Sequence, residues 1–89
     1  MAVHARGKVT RLYTSKNYVA IRLATPPDEV EPLSGYYMLR TTHPNYNALY
    51  SLALAAAVNG VSLTIRTEQE ITPQATAEVW YFVADWPSA

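Results

Sequence analysis

The sequence predicts an all-β fold with one helix: a five-stranded OB-fold Greek-key barrel whose helix lies between strands three and four. Three observations lead there. Short runs rich in β-branched and aromatic residues recur along the chain, several with strict alternation. The stretch from Thr41 to Ile65 contains no Asp, Glu, Lys or Arg, and at its centre Ala48 to Val58 is a helix-like apolar run. The elements follow the order strand, strand, strand, helix, strand, strand, which is the layout of a small OB-fold barrel. An open antiparallel sheet crossed by one helix, or an SH3-like barrel, uses the same elements, but the helix position favours the OB arrangement.

Gly7 opens the first run, Lys8 to Thr14, in which Val9 and Tyr13 share a parity while Leu12 falls on the other. Such a break in alternation predicts a long, bent or bulged strand. After a short turn, Ser15-Lys16-Asn17, the run Tyr18 to Leu23 alternates cleanly, with Val19, Ile21 and Leu23 on one face and Tyr18, Ala20 and Arg22 on the other. The two runs make a hairpin. Ala24 to Ser34 carries Pro26, Pro27 and Pro32 among Asp28, Glu29 and Glu31, so it is a solvated connector. It lacks the alternating ligands and central glycine of a calcium loop.

Gly35 to Thr41 is the third strand, with Tyr37 and Leu39 on one face and Tyr36, Met38 and Arg40 on the other. Thr42-His43-Pro44-Asn45 signals the start of a helix that runs to about Val58. Asn59-Gly60 supplies its left-handed cap. Tyr46, Leu49, Tyr50, Ala53 and Ala57 form the stripe expected to face the sheet, with Leu52, Leu54, Ala55 and Ala56 beside or behind it. Val61 to Thr67 alternates as a fourth strand. Ala77 to Trp86 is a long fifth strand, apolar enough to be covered on both faces along part of its length. Pro87-Ser88-Ala89 is a short tail.

The 89 residues make one domain, residues 1–89. A chain of this size buries only about 60–65% of its unfolded surface, so its stability is marginal without a supplement. There is no Cys to form a disulfide, and His4 and His43, far apart in sequence, offer no metal cluster. Oligomerisation is the remaining supplement. Because one core cannot cover a helix that is apolar on almost every side, Leu52, Leu54, Ala55 and Ala56 are the expected contacts between copies of the chain. Seven basic and seven acidic residues cancel, which weighs against general nucleic-acid binding. No apolar segment follows Met1, so a cytoplasmic location is expected, and the apolar run is too short for a membrane span.

The stretches Gly7 to Leu12, Tyr18 to Leu23 and Asn47 to Ile65 resemble the pentameric B subunits of bacterial one-A-five-B toxins, in the pertussis-like and subtilase-cytotoxin-like branch. The resemblance covers roughly residues 7–67 and is one of pattern and element order. It implies a ring of OB-folds with helices lining a central channel and an outer surface that binds glycans. Those subunits are secreted and usually carry a signal peptide and a disulfide, none of which this sequence shows. Its helix also lacks the polar face that a water-filled channel requires.

Catalysis finds no support in the sequence, and no cofactor is implied. There is no nucleophile elbow, and Gly7, Gly35 and Gly60 cannot build a phosphate-cradling loop. Glu78 and Asp85 on the last strand have no reason to meet, and His43 is a turn residue. Binding is the better case. Tyr18 with Arg22, and Tyr36 with Arg40, lie on the outward parity of strands two and three, the usual ligand face of this fold. Ser15 and Asn17 in the turn are further candidates. Aromatic rings beside guanidinium groups suit a sugar, a base or another protein surface equally. The expected function is therefore a self-associating module, a pentamer by the resemblance, that binds a glycan or a protein. The alternative is a single-stranded nucleic-acid binder stacking bases on Tyr18, Tyr36 and Tyr37.

Overall fold

A computed structural model describes residues 2–26 and 28–86. Pro27 and the tail from Pro87 lie outside the described residues. Five strands form one sheet, accompanied by a single α-helix. The strands are β1 (His4–Thr14), β2 (Tyr18–Leu23), β3 (Tyr37–Arg40), β4 (Ser62–Thr67) and β5 (Ala77–Ala84), and α1 (Tyr46–Asn59) lies between β3 and β4.

β1 serves two partners. Its first half pairs antiparallel with β4, from His4 opposite Arg66 to Lys8 opposite Ser62. Its second half pairs antiparallel with β2, from Val9 opposite Leu23 to Thr14 opposite Val19. β2 pairs with β3, β3 pairs with β5 in parallel, and β5 pairs with β4, so the circuit β1-β2-β3-β5-β4 returns to β1. His4 is the first residue of β1 and is paired within the sheet.

Gly7 sits near the point where β1 passes from one partner to the other. A Cβ there would collide with the Ala24 carbonyl, and Ala24 N–H donates to the Lys8 carbonyl at 2.9 Å. Just beyond, the β1–β2 register shifts between Val9 and Arg11, leaving Thr10 unpaired. This is the bulge that the broken alternation predicted. Ahead of it Ala5 and Val9 face the core, while beyond it Leu12 does. Arg11 and Tyr13 are thereby turned outward. Bulges re-aim side chains in this way.

The core joins Val19, Ile21 and Leu23 of β2, Tyr37 and Leu39 of β3, Leu63 and Ile65 of β4, and Val79 and Phe82 of β5. α1 packs against β1, β5, β3 and β4 and contributes Leu49, Ala53 and Ala56. Gly60 ends the helix in the left-handed region at φ 65°, and Val61 N–H donates back to the Ala56 carbonyl at 3.1 Å.

Two expectations need correction. Tyr46, Leu49, Tyr50 and Ala53 of the predicted stripe do face the core, but the covered face of α1 is wider than that stripe and extends to Leu52 and Ala56. Ala56 has no exposed surface, so it is not open to a second copy, while Leu52 is half-buried and packs against the core. Leu54 is 42% exposed, Val58 79%, and Ala55 is half-buried. No charged residue marks the wet side of this helix, so its phase depends on how the sheet receives it. The second correction concerns β5, which is covered on one face only, with Trp80, Tyr81 and Val83 exposed. The β4–β5 register shifts between Arg66 and Thr67, leaving Trp80 as the extra residue next to Tyr81. No helix among the described residues is long and apolar enough to cross a membrane.

Candidate functional site

The outer surface of β1, β2 and β3 holds the densest arrangement of chemically distinctive side chains. Tyr18 lies opposite Arg40 in the β2–β3 ladder, so strand pairing alone brings them together. The Arg40 guanidinium sits 5.6 Å from the centre of the Tyr18 ring. Arg22 sits 5.7 Å from the Tyr36 ring. The four residues expected on the outward parity do meet, but not as expected within each strand: Arg40 lies over Tyr18 and Arg22 over Tyr36.

A third tyrosine links these pairs. Tyr13, turned outward by the bulge, meets Tyr18 edge to face at 6.3 Å and Tyr36 edge to face at 5.3 Å. Arg11 sits 5.8 Å from the Tyr13 ring. Three rings thus form a continuous edge-to-face row, and each has a guanidinium over it. Such ring pairs contribute about 0.5–1.5 kcal/mol each and exposed cation–π contacts about 0.5–1 kcal/mol. Beneath them Ala20, opposite Tyr13 on one side and Met38 on the other, has no exposed surface. Its small side chain lets the larger ones lie across it. The Tyr13 phenol is pushed above its ordinary pKa, chiefly through the neighbouring Tyr18 hydroxyl and then through desolvation.

Tyr13 and Arg11 were absent from the sequence-derived set. Leu12 was the signal that could have found them, because an apolar residue of the wrong parity implies that its neighbours change sides. Ser15 and Asn17 act through their backbones. Ser15 N–H donates to the Tyr18 carbonyl at 2.8 Å, and the Asn17 carbonyl accepts from Thr41 N–H at 2.9 Å. Both side chains stand exposed at the rim of the array. Tyr37 is a different case. It is 1% exposed, and its hydroxyl is buried without a hydrogen-bond partner among the described residues. Burial, with Glu31 and Glu29 nearby, pushes its pKa up to about 12. It cannot stack on a ligand, which corrects its place in the nucleic-acid alternative.

Arg40 continues the array into a cleft of about 580 Å³ lined by Thr42, His43, Glu68, Glu78 and Trp80 among others. Its Nε and Nη2 donate to the two carboxylate oxygens of Glu78 at 2.8 and 3.0 Å, a bidentate fork. That hydrogen bonding raises the guanidinium pKa still further. His43 is a wall of the cleft. Asn45 N–H donates to its Nδ1 at 3.0 Å, which leaves the proton on Nε2 to donate to the Trp80 carbonyl at 2.9 Å. Both ring nitrogens are engaged in holding the turn. On Trp80 the Arg66 guanidinium lies 4.8 Å from the ring centre.

The fold and site together define a class: a small β-rich domain that presents a row of tyrosines and arginines on its outer strands. No protein-family model matches the chain, and no curated protein or solved structure shows significant similarity to it.

Proposed function

We propose that the chain is a non-catalytic OB-fold module that associates with copies of itself into a ring, a pentamer by the resemblance noted above, and binds a glycan or a partner protein on the outer face of β1–β3. The OB-fold assignment is supported by the pairing circuit and by the helix between β3 and β4. One observation carries the binding role: Tyr18, Tyr13 and Tyr36 form an edge-to-face row with a guanidinium over each ring. Flat apolar faces flanked by planar donors suit a sugar ring, which is apolar on one side and rimmed by hydroxyls. For self-association, the available surfaces are Leu54 and Val58 on α1 and Trp80, Tyr81 and Val83 on β5.

The test is mass in solution followed by a glycan array. A mass near five protomers and retention on defined glycans, lost in Tyr13→Ala and Tyr36→Ala, are expected. A monodisperse monomer at micromolar concentration overturns the ring, and an empty array overturns the glycan.

Charge distribution favours a second reading. All charged residues up to position 27 are basic (Arg6, Lys8, Arg11, Lys16 and Arg22), and the acidic residues begin at Asp28. A net charge of zero therefore conceals a basic hairpin, the surface a single-stranded nucleic acid would use with Tyr13, Tyr18 and Tyr36 as stacking rings. Binding to an oligonucleotide that weakens steeply with salt supports this second function, and its absence at low salt ends it.

A further inference from the structure

Arg11 and Arg22 stand directly opposite each other across the β1–β2 ladder, and both are exposed. Like charges in that relation destabilise a sheet, and the usual remedy is a carboxylate close by. Here none reaches either guanidinium: the ion pair among the described residues is Arg40 with Glu78. Glu31 approaches Arg22 around Gly35 without closing to ion-pair distance. The pairing is also not an accident of alternation. It exists because the bulge at Thr10 shifts the register, and Thr10 Oγ1 donates to the Arg22 carbonyl at 3.3 Å, fixing the bulge against that residue. Each guanidinium is held on a ring, Arg11 on Tyr13 and Arg22 on Tyr36, and those two rings touch.

We infer that Arg11 and Arg22 form an oxyanion site, receiving a carboxylate or phosphate group of a ligand whose body lies over Tyr13 and Tyr36. Two planar forks on one outward face, unmatched by a fixed acid, supply several parallel N–H donors to an anion. The rings beneath them limit the entropy lost when it binds. The repulsion between the two arginines in the free protein becomes attraction of both for the same ligand group, so binding relieves a stress built into the hairpin. This rests on the outer face of β1–β3 being the ligand surface, but it does not require the ring assembly.

The test is thermal melting at constant ionic strength, adding inorganic phosphate, glucuronate or glucose to the full chain, with Arg11→Gln, Arg22→Gln and the charge-matched control Arg6→Gln. The melting temperature of the parent and of Arg6→Gln should rise saturably with phosphate, glucuronate or both, and not with glucose. A response to phosphate alone points to a phosphorylated ligand and a response to glucuronate alone to an acidic sugar, and either supports the site. Arg11→Gln should melt at or above the parent without anion and bind the anion about tenfold more weakly or worse, as loss of a charge-assisted bond implies. Arg22→Gln should weaken binding to the same degree. Equal loss in Arg6→Gln, no saturable rise in the parent, or a marked fall in the melting temperature of anion-free Arg11→Gln overturns the proposal. Failure of the ring would appear in the solution mass and leave these shifts untouched.

Discussion

α1 and the β1–β2 hairpin are opposites. The helix has no charge and is apolar or small almost throughout, yet the large apolar side chains that face water are two, Leu54 and Val58, beside Asn47, Ala48, Ser51 and Asn59. The hairpin carries five of the seven basic residues, and its outer face is organised ring by ring. Apolar content alone therefore says little about which side chains an element presents at the surface. On the helix most of that content is spent inside its own core, whereas on the hairpin a single bulge gathers polar and aromatic groups into one surface.

The sharpest way to break this contrast is a charge on either side of α1. Ala56→Glu buries a carboxylate where no partner exists and should cost roughly 3–5 kcal/mol, enough to unfold a domain of this size. Leu54→Glu should change stability by less than about 0.5 kcal/mol in a urea melt, while reducing the assembled mass. Equal stability of the two variants would mean that the helix does not use the Ala56 face.

On the hairpin, Gly7→Ala should cost about 1–3 kcal/mol in the same melt, because its methyl meets the Ala24 carbonyl and one of the two backbones must move. A neutral outcome would show that β1 is not held tightly where it changes partners.

The smallest effect at neutral pH sets the inner tyrosine against the outer ones. The Tyr37 phenol has a folded pKa of about 12, against an ordinary 10, so the unfolded chain releases that proton first. Its contribution is complete below pH 10 and is lost as pH rises through 12, roughly 2–3 kcal/mol in all. Tyr37→Phe should be close to neutral at pH 7, since it removes a hydroxyl with no partner, and should lose less stability than the parent between pH 10 and 12. Parallel alkaline curves for the two proteins would remove Tyr37 as the cause.

Much of this architecture is legible in the sequence. Tyr18 to Leu23 is read as a strand with the bounds it has, because alternation and turn residues agree there. The Asn59-Gly60 cap is equally plain, since the left-handed turn selects glycine. The bulge was visible in Leu12, but which residues it would bring face to face was not. Register is a property of two strands, and Arg11 meets Arg22 only after Thr10 has been left out of the ladder. The burial of Ala56 and the half-burial of Leu52 were hidden for a related reason: a helix without charges gives no mark of where its covered face ends. The last strand looked apolar enough to be covered on both faces, and the shifted β4–β5 register leaves Trp80 and Tyr81 exposed side by side.

The circuit of strands has a consequence for the order of folding. Two of its five seams, His4 with Arg66 and Tyr37 with Ala77, join segments separated by α1 and much else, whereas the other three join neighbours in sequence or nearly so. The β3–β5 seam is also the shortest, with only Tyr37 and Met38 in register with Ala77 and Glu78. Loop-closure entropy favours the local hairpins first, so on the ribosome β1, β2 and β3 can pair early but the circuit waits for β5. Until then the edges of β3 and β4 are open, and the chain is most vulnerable to mispairing while its last strand is being made.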